Sequence, residues 1–306
     1  MWNLVGLNGW RNTEKSVPED RISKNTGYPF KEFENKPLAK LIQYVTTGAN
    51  QFWMNGGQDL ADSELGEALD KLLDKDTGSP LYWFFYGLFE NHDLAMWLLR
   101  QSVRTFAGMS FEEFLFMSNS SGSNGKGTWI NFLNKLLNCK PDGYFRTLEF
   151  SKHFIGTTKS GNNPEVSECE GARACVVNES PADVGTASRT LNVELIKQLA
   201  CGGDNPMTAM GKYKDPNYFV PQLLLAFFAQ DAPIFQNDGG LRSRLSYLFM
   251  PFEFVNDPKP GTNQRKLDTS VKTNVDRLVT EFIFWAPRLT SNKDIRIVGF
   301  VKVSQV

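Results

Sequence analysis

The chain has 306 residues, with 33 Lys and Arg against 34 Asp and Glu and a net charge of −1. This length can bury the core of one large domain or of two modest ones, and the balanced charge gives no compositional sign of nucleic-acid binding. Four cysteines without a Cys-x-x-Cys pair and two histidines argue against a zinc site and favour reduced thiols in an intracellular protein.

The N-terminus and the apolar runs bear on membrane targeting. The first residues have neither the basic nor the apolar region of a signal peptide. The longest apolar runs, 81–89 and 223–229, are too short to span a bilayer. We therefore expect a protein that is not secreted and that has no membrane partner. The abrupt start and end also lead us to expect part of a longer protein.

The pattern of elements predicts four regions. Residues 1–35 are polar and rich in turn formers, which indicates an N-terminal arm. Helical periodicity dominates residues 36–108, where the aromatic stripe at 82–89 is typical of a helix core. Residues 109–255 alternate apolar strands with helices, as in an α/β unit. Residues 256–306 form a C-terminal helical extension that begins with the Pro-containing linker 256–264. The predicted strands are 113–117, 144–150, 173–178, 222–229 and 246–253.

The stretch 120–128 reads Ser-Ser-Gly-Ser-Asn-Gly-Lys-Gly-Thr between a strand pattern and a helix pattern. A strand, a flexible turn carrying Gly-Lys and a helix start form a phosphate-binding loop, whose N–H groups face the anion. Lys126 is expected to reach the β- and γ-phosphates, and Thr128 to help hold Mg²⁺. Ser120 replaces the usual first glycine, and Gly127 moves the hydroxyl one position later, as in adenylate kinases. The expected nucleotide-binding residues are Gly122, Ser123, Asn124, Gly125, Lys126, Gly127 and Thr128.

A second apolar strand pattern ends in Asn178 and Glu179. Hydrolysis of a nucleoside triphosphate needs a group that orients the attacking water and accepts its proton. Glu179 is the candidate for this role and for a contact with Mg²⁺. Asn178 stands where an acid that helps to hold the metal is more usual. The simpler alternative is a strand that ends in a polar turn.

Further motifs follow in order along the chain. A Lys-x-x-x-x-Gly-Gly-Asp segment at 197–204 leads to Lys-Tyr-Lys at 212–214, which suits an exposed hairpin. An apolar strand then ends in Gln230, and Arg-Ser-Arg at 242–244 precedes an apolar strand with Pro-Phe. With these motifs, residues 120–252 resemble the superfamily 3 helicases, and most of all the helicase half of the poxvirus-like and phage or plasmid primase-helicases.

The resemblance implies an AAA+-like P-loop ATPase with a three-layer α/β/α core, preceded by a helical domain. It implies a helicase for DNA replication that uses ATP and Mg²⁺, binds single-stranded or forked DNA and forms a homo-oligomeric, hexameric ring. A primase domain or subunit would accompany it at the site of replication, in the nucleus or a viral factory.

The resemblance also assigns roles to residues outside the phosphate loop. Gln230 takes the place of a polar sensor that is commonly Asn. Arg244 is the arginine that acts on the ATP site of a neighbouring subunit. Lys212, Tyr213 and Lys214 form the hairpin that contacts DNA.

Two other interpretations stay open. The altered residues Gly127, Asn178 and Gln230 are compatible with a P-loop module that does not hydrolyse nucleotide and serves assembly alone. Gly-Lys-Gly-Thr also suits a small P-loop nucleotide kinase, although no arginine-rich lid is evident.

Overall fold

The computed structural model describes residues 2–4, 10–12, 73–74, 78–108, 111–119, 122–138, 143–156, 163–178, 191–203, 205–229 and 238–290. Most of the predicted N-terminal arm, and the predicted helical region up to residue 72, lie outside the described residues. Among the described residues, Gly108–Thr269 form one compact unit. The residues up to Ala107 and those from Ser270 onward belong to a second unit.

The elements are numbered along the chain. The strands are β1 Trp2–Leu4, β2 Trp10–Asn12, β3 Phe114–Ser118, β4 Phe145–Glu149, β5 Ala174–Asn178, β6 Met207–Met210, β7 Pro216–Phe219, β8 Leu224–Phe228, β9 Leu245–Phe249, β10 Glu253–Val255 and β11 Gln264–Lys266. The helices are α1 Pro80–Gly87, α2 His92–Ala107, α3 Lys126–Leu137, α4 Phe150–His153, α5 Pro164–Ser167, α6 Val193–Leu199, α7 Gly239–Arg244, α8 Thr269–Thr273 and α9 Val275–Thr290.

Five of these strands form one sheet in the order β4-β5-β8-β3-β9. Every neighbouring pair in it is parallel. The sequence indicates parallel pairing because β3 and β8 are continuous apolar runs. In the structure every residue of both strands is buried. Such runs are typical of parallel strands that are covered on both faces. The predicted α/β class is confirmed, and so are four of the five predicted strands. The strand predicted at 246–253 is wrong at its end, because β9 stops at Phe249 before Pro251, which lacks an N–H, and Glu253 begins β10 in another sheet.

Helices cover both faces of the sheet. The connection from β3 to β4 runs towards one edge, whereas the later connections run back towards the other edge. Because such crossovers are almost always right-handed, α3 lies on one face, and α4 to α7 in the later connections lie on the opposite face. The side chains agree: Trp129 of α3 meets Phe228, with ring centroids 5.9 Å apart, whereas Phe227 packs on the other face with Phe154 and Leu195. The unit is a three-layer α/β/α structure.

A two-stranded hairpin stands apart from the main sheet. Strands β6 and β7 pair antiparallel, with Met207 opposite Phe219 and Met210 opposite Pro216. Met207 and Phe219 are buried in the same core as the sheet, so the hairpin is anchored by one face. The predicted hairpin between two strands is confirmed.

The predicted linker connects two short strands. Strands β10 and β11 pair parallel, and residues 256–263 form the loop between them. The guanidinium of Arg265 lies 4.0 Å from the centroid of the Phe252 ring, a cation–π contact that joins the two segments.

In the second unit, α1, α2 and α9 pack together. Pro80 occupies the start of α1, where its missing N–H costs nothing, and the Ser79 hydroxyl accepts from the Tyr82 N–H at 3.0 Å. The buried Glu281 carboxylate of α9 accepts from the Ser79 hydroxyl at 2.5 Å and from the Leu81 N–H at 2.9 Å. Burial raises the pKa of Glu281, and these hydrogen bonds lower it in part. The predicted aromatic helix core is confirmed by the burial of Tyr82, Phe84, Phe85 and Phe89.

In the described part of the chain, no helix combines the length and the apolar character that crossing a bilayer requires.

Candidate nucleotide-binding site

The phosphate loop connects β3 to α3 at the carboxyl edge of the sheet, where ligands bind in open α/β folds. Gly125 precedes α3 with φ +89 and no side-chain cap, a conformation that glycine adopts without strain. An uncapped helix start offers N–H groups and a positive dipole end to an anion. Ser123 also has a positive φ of +54, and its carbonyl accepts from the Phe254 N–H at 2.8 Å. Strand β10 therefore braces the loop from outside.

The ammonium of Lys126 lies between the ends of two neighbouring strands. It donates to Asn119 Oδ1 at 2.5 Å and to the carbonyl of Ala229 at 2.9 Å. Asn119 directly follows β3, and Ala229 directly follows β8. Burial lowers the pKa of Lys126 below its ordinary value. A partly desolvated cation at this edge is a site at which a phosphate group would recover the lost solvation.

Sequence reasoning missed Asn119. It was visible as a polar residue between a buried strand and the loop, but nothing in the sequence indicated that its side chain turns towards Lys126. Asn119 and Asn124 are both buried, and Asn124 Oδ1 accepts from the Lys126 N–H at 3.3 Å. The Nδ2 atoms of both amides have no hydrogen-bond partner in the described part of the chain.

The loop residues fit a phosphate group. Unpaired buried donors such as the two Nδ2 atoms need an acceptor, and a phosphate oxygen is one. An added Cβ at Gly122 or Gly127 would meet nothing within 4 Å, so the loop has open space beside its backbone. For Mg²⁺ the described donor is the Thr128 hydroxyl at the start of α3. That is in keeping with a metal held by few protein groups together with phosphate oxygens and water.

Two predicted site residues, Glu179 and Gln230, lie outside the described residues. They follow the described ends of β5 and β8. In the sheet, β8 lies between β3 and β5, so the ends of β3 and β5 are two strand spacings, about 10 Å, apart. The roles of both residues stay predictions.

Arg244 is held by its own chain. Its Nε donates to the carbonyl of Ala200 at 3.1 Å and its Nη1 to that of Gly240 at 2.9 Å. Its Nη2 lies 3.2 Å from Glu112 Oε1. Arg242, which lies two residues earlier on α7, is exposed. The role of Arg244 at a neighbouring subunit stays a prediction, and in that role it would leave or share these three partners.

The start of α7 is tied to the Lys-x-x-x-x-Gly-Gly-Asp segment. Lys197 of α6 lies 2.8 Å from the Asp238 carboxylate. Asp238 also caps α7 by accepting from the Leu241 N–H at 2.7 Å. The hydrogen bond from Lys197 and that from Leu241 lower the pKa of Asp238. The two helices that flank the hairpin segment are thus joined by polar contacts at both ends of α7.

The hairpin tip is exposed. Lys212 and Lys214 point into solvent, and Tyr213 is 93% exposed. Tyr213 has φ +59, which is uncommon for a residue with a Cβ, and the Lys212 ammonium lies 5.1 Å from its ring centroid. Tyr218 on β7, which sequence reasoning missed, is 74% exposed. The predicted exposure is confirmed, while contact with DNA stays a prediction.

Comparisons with known proteins give partial similarities. Over 196 residues, 63% of this chain, the sequence is 26% identical to a protein of Acanthamoeba polyphaga mimivirus named "Putative helicase L207/L206". The matched region spans 19% of that protein's length. No protein-family model matches the chain.

Two solved structures overlay parts of the chain. The C-terminal region of NrS-1 (residues 305–718) matches 70% of this chain and 45% of its own length, with 13% identity and a TM-score of 0.46. JCV helicase, solved with a bound small molecule, matches 81% of this chain and 65% of its own length, with 12% identity and a TM-score of 0.33.

Proposed function

We propose that the chain is an ATP-dependent DNA helicase motor of the superfamily 3 type that works in DNA replication. The observation that carries the proposal is the placement of Lys126. Its partly buried ammonium lies at the carboxyl edge of a parallel sheet, beside an uncapped helix start, between Asn119 and the Ala229 carbonyl. The similarity to a mimivirus protein named as a helicase supports the same direction.

ATP would supply the phosphoryl group, and Mg²⁺ would supply part of the positive charge that neutralises the phosphates. The loop from Gly122 to Thr128 binds the phosphates through its N–H groups, and the Lys126 ammonium donates to the β- and γ-phosphate oxygens. The Thr128 hydroxyl and the Glu179 carboxylate would hold Mg²⁺. Glu179 orients the attacking water and accepts its proton, and Gln230 helps to position that water.

The proposed active form is a hexameric ring with ATP sites shared between neighbours. Each subunit adds one hairpin with Lys212, Tyr213 and Lys214. Six hairpins around a pore would bring about twelve lysine charges to a DNA strand, which is enough for binding that follows phosphate charge rather than sequence. A primase domain or subunit in the same assembly, which the family resemblance implies, is also part of this proposal.

The test is nucleotide hydrolysis with and without single-stranded DNA. A helicase motor hydrolyses ATP faster when the strand is added and unwinds a forked duplex. Turnover that needs a phosphate acceptor would support the nucleotide kinase instead. Nucleotide binding with no turnover under either condition would support the assembly module, for which Gly127, Asn178 and Gln230 are the motivating residues.

A further inference from the structure

Asn119 has a fixed amide orientation. Its side chain is 1% exposed, and Lys126 Nζ lies 2.5 Å from its Oδ1. Because an ammonium can only donate, the oxygen of the amide must face Lys126. The Nδ2 group therefore faces away from the lysine, and it has no acceptor within the described residues.

The position of Asn119 determines which acceptor Nδ2 could meet. Asn119 follows the last residue of β3, and Ser118 before it is fixed by its carbonyl, which accepts from the Met250 N–H at 2.9 Å. The same lysine ammonium also contacts Ala229 at the end of β8. Asn119 thus lies at the strand ends, in contact with the ammonium that would bind the phosphates of a nucleotide.

We propose that Asn119 is a binding residue for the terminal phosphate of a nucleoside triphosphate. Its Oδ1 keeps Lys126 aimed at the phosphates, and its Nδ2 donates a hydrogen bond to a terminal phosphate oxygen. This inference rests on the proposed nucleotide binding and adds to it a residue that distinguishes a triphosphate from a diphosphate.

The experiment measures the Kd of ATP and of ADP, each with Mg²⁺, for the full chain and for two variants. Asn119→Asp keeps the size of the side chain and an acceptor for Lys126, but removes the donor. Asn119→Ala removes both without adding charge. Loss of one hydrogen bond to a charged group corresponds to about 10- to 150-fold in affinity. We expect that loss for ATP in both variants and a several-fold smaller loss for ADP.

Asn138→Asp is the matched control. Asn138 follows the last residue of α3, about 18 Å from the loop at 1.5 Å per residue, so ATP and ADP should bind as in the unchanged chain. Thermal unfolding midpoints establish that each variant is folded. Should Asn119→Ala not fold, Asn119→Leu, which has a similar size and adds no charge, takes its place, because salt only weakly screens a repulsion at a buried side chain.

The outcomes separate the two levels of inference. If the unchanged chain binds neither nucleotide, the proposed function itself fails. If it binds both but the variants lose ATP and ADP equally, Asn119 serves only to position Lys126 and the inference is overturned. An ATP loss that is confined to Asn119→Asp and absent from the uncharged variant would also overturn it, since charge repulsion would then explain the effect.

Discussion

The phosphate loop and the hairpin tip both present lysines, but in opposite environments. Lys126 is partly buried, its ammonium has two hydrogen-bond partners, and burial lowers its pKa. Lys212 and Lys214 are exposed at the tip of a two-stranded hairpin. A site that holds one phosphate group in a single geometry needs a positioned, desolvated cation. A surface that follows any nucleic-acid strand needs charge, but not one fixed position for it.

The two regions also differ in what supports them. The loop is braced by main-chain hydrogen bonds, such as that from the Phe254 N–H to the Ser123 carbonyl. The hairpin is anchored by Met207 and Phe219 on its inner face, far along the strands from its tip. Substitutions in the loop should therefore alter a geometry that many groups share, whereas substitutions at the tip should alter charge alone.

The largest effect is expected at the loop. Lys126→Ala removes the cation that faces the phosphates, so ATP binding and turnover should both fall below detection. Equilibrium binding of ATP and steady-state hydrolysis are the measurements. Lys135→Ala, which removes a lysine from the last turn of the same helix, is the control and should bind and turn over ATP normally. ATP binding that survives Lys126→Ala would remove the basis for contrasting the two regions.

The next largest effect is expected at Arg244, whose side chain, like that of Lys126, is hydrogen-bonded within its own chain. If Arg244 acts on a neighbour's ATP, Arg244→Ala should lower turnover by about 10³- to 10⁵-fold. Mixing Lys126→Ala with Arg244→Ala subunits should restore turnover, because some interfaces then keep both residues. Arg242→Ala is the exposed control.

A different result would reassign Arg244. If turnover stays absent at every mixing ratio while both variants assemble, the contacts with Ala200, Gly240 and Glu112 are its whole role. In that case we expect a lower thermal unfolding midpoint for Arg244→Ala than for Arg242→Ala, because only the former loses these contacts.

A smaller effect is expected where the chemistry needs a base rather than a cation. Glu179→Gln keeps the size of the side chain but cannot accept the proton of water. Turnover should fall by about 10²- to 10⁴-fold while ATP binding is retained, the range for a positioned base. Binding by titration and turnover under saturating ATP separate the two quantities. Equal turnover in Glu179→Gln and the unchanged chain would show that the base lies elsewhere.

More of the fold than of the candidate site could be predicted from the sequence. Continuous apolar runs such as 114–118 predict buried parallel strands, because only strands covered on both faces can be apolar throughout. The Gly-Lys turn predicts the loop, because few residues adopt its backbone. The contact of Asn119 with Lys126 was not predictable because it depends on a side-chain rotamer, and those of Arg244 with Ala200 and Glu112 were not because they depend on strand order. Neither leaves a local pattern in the sequence.

The exposure of Tyr218 shows the same limit at the hairpin. Alternation along β7 assigns it to one face or the other only once the register with β6 is known. That register pairs Tyr218 with Thr208 and leaves its ring 74% exposed. A tyrosine in a strand pattern is otherwise a candidate for the core.

The smallest and most graded effect is expected at the hairpin tip. Lys212→Ala/Lys214→Ala removes two charges that would displace counterions from a DNA strand. Because each phosphate contact contributes about 0.7 to the salt slope for a single strand, the slope of log K against log salt should become shallower by about 1.4 per engaged hairpin. Stimulation of ATP hydrolysis by single-stranded DNA and unwinding of a forked duplex should be lost with it.

The control for the hairpin is Lys259→Ala/Lys266→Ala, which removes the same charge from two exposed lysines outside the hairpin. It should leave the salt slope unchanged, and both double variants should keep the unfolding midpoint of the unchanged chain because none of the four side chains is buried. Titrations at several salt concentrations are needed, since one concentration cannot separate a lost charge from a lost stacking contact at Tyr213. If both pairs flatten the slope equally, binding follows the total charge of the chain. If neither does, DNA is held by another surface, and the contrast between a positioned cation and a graded one no longer describes this protein.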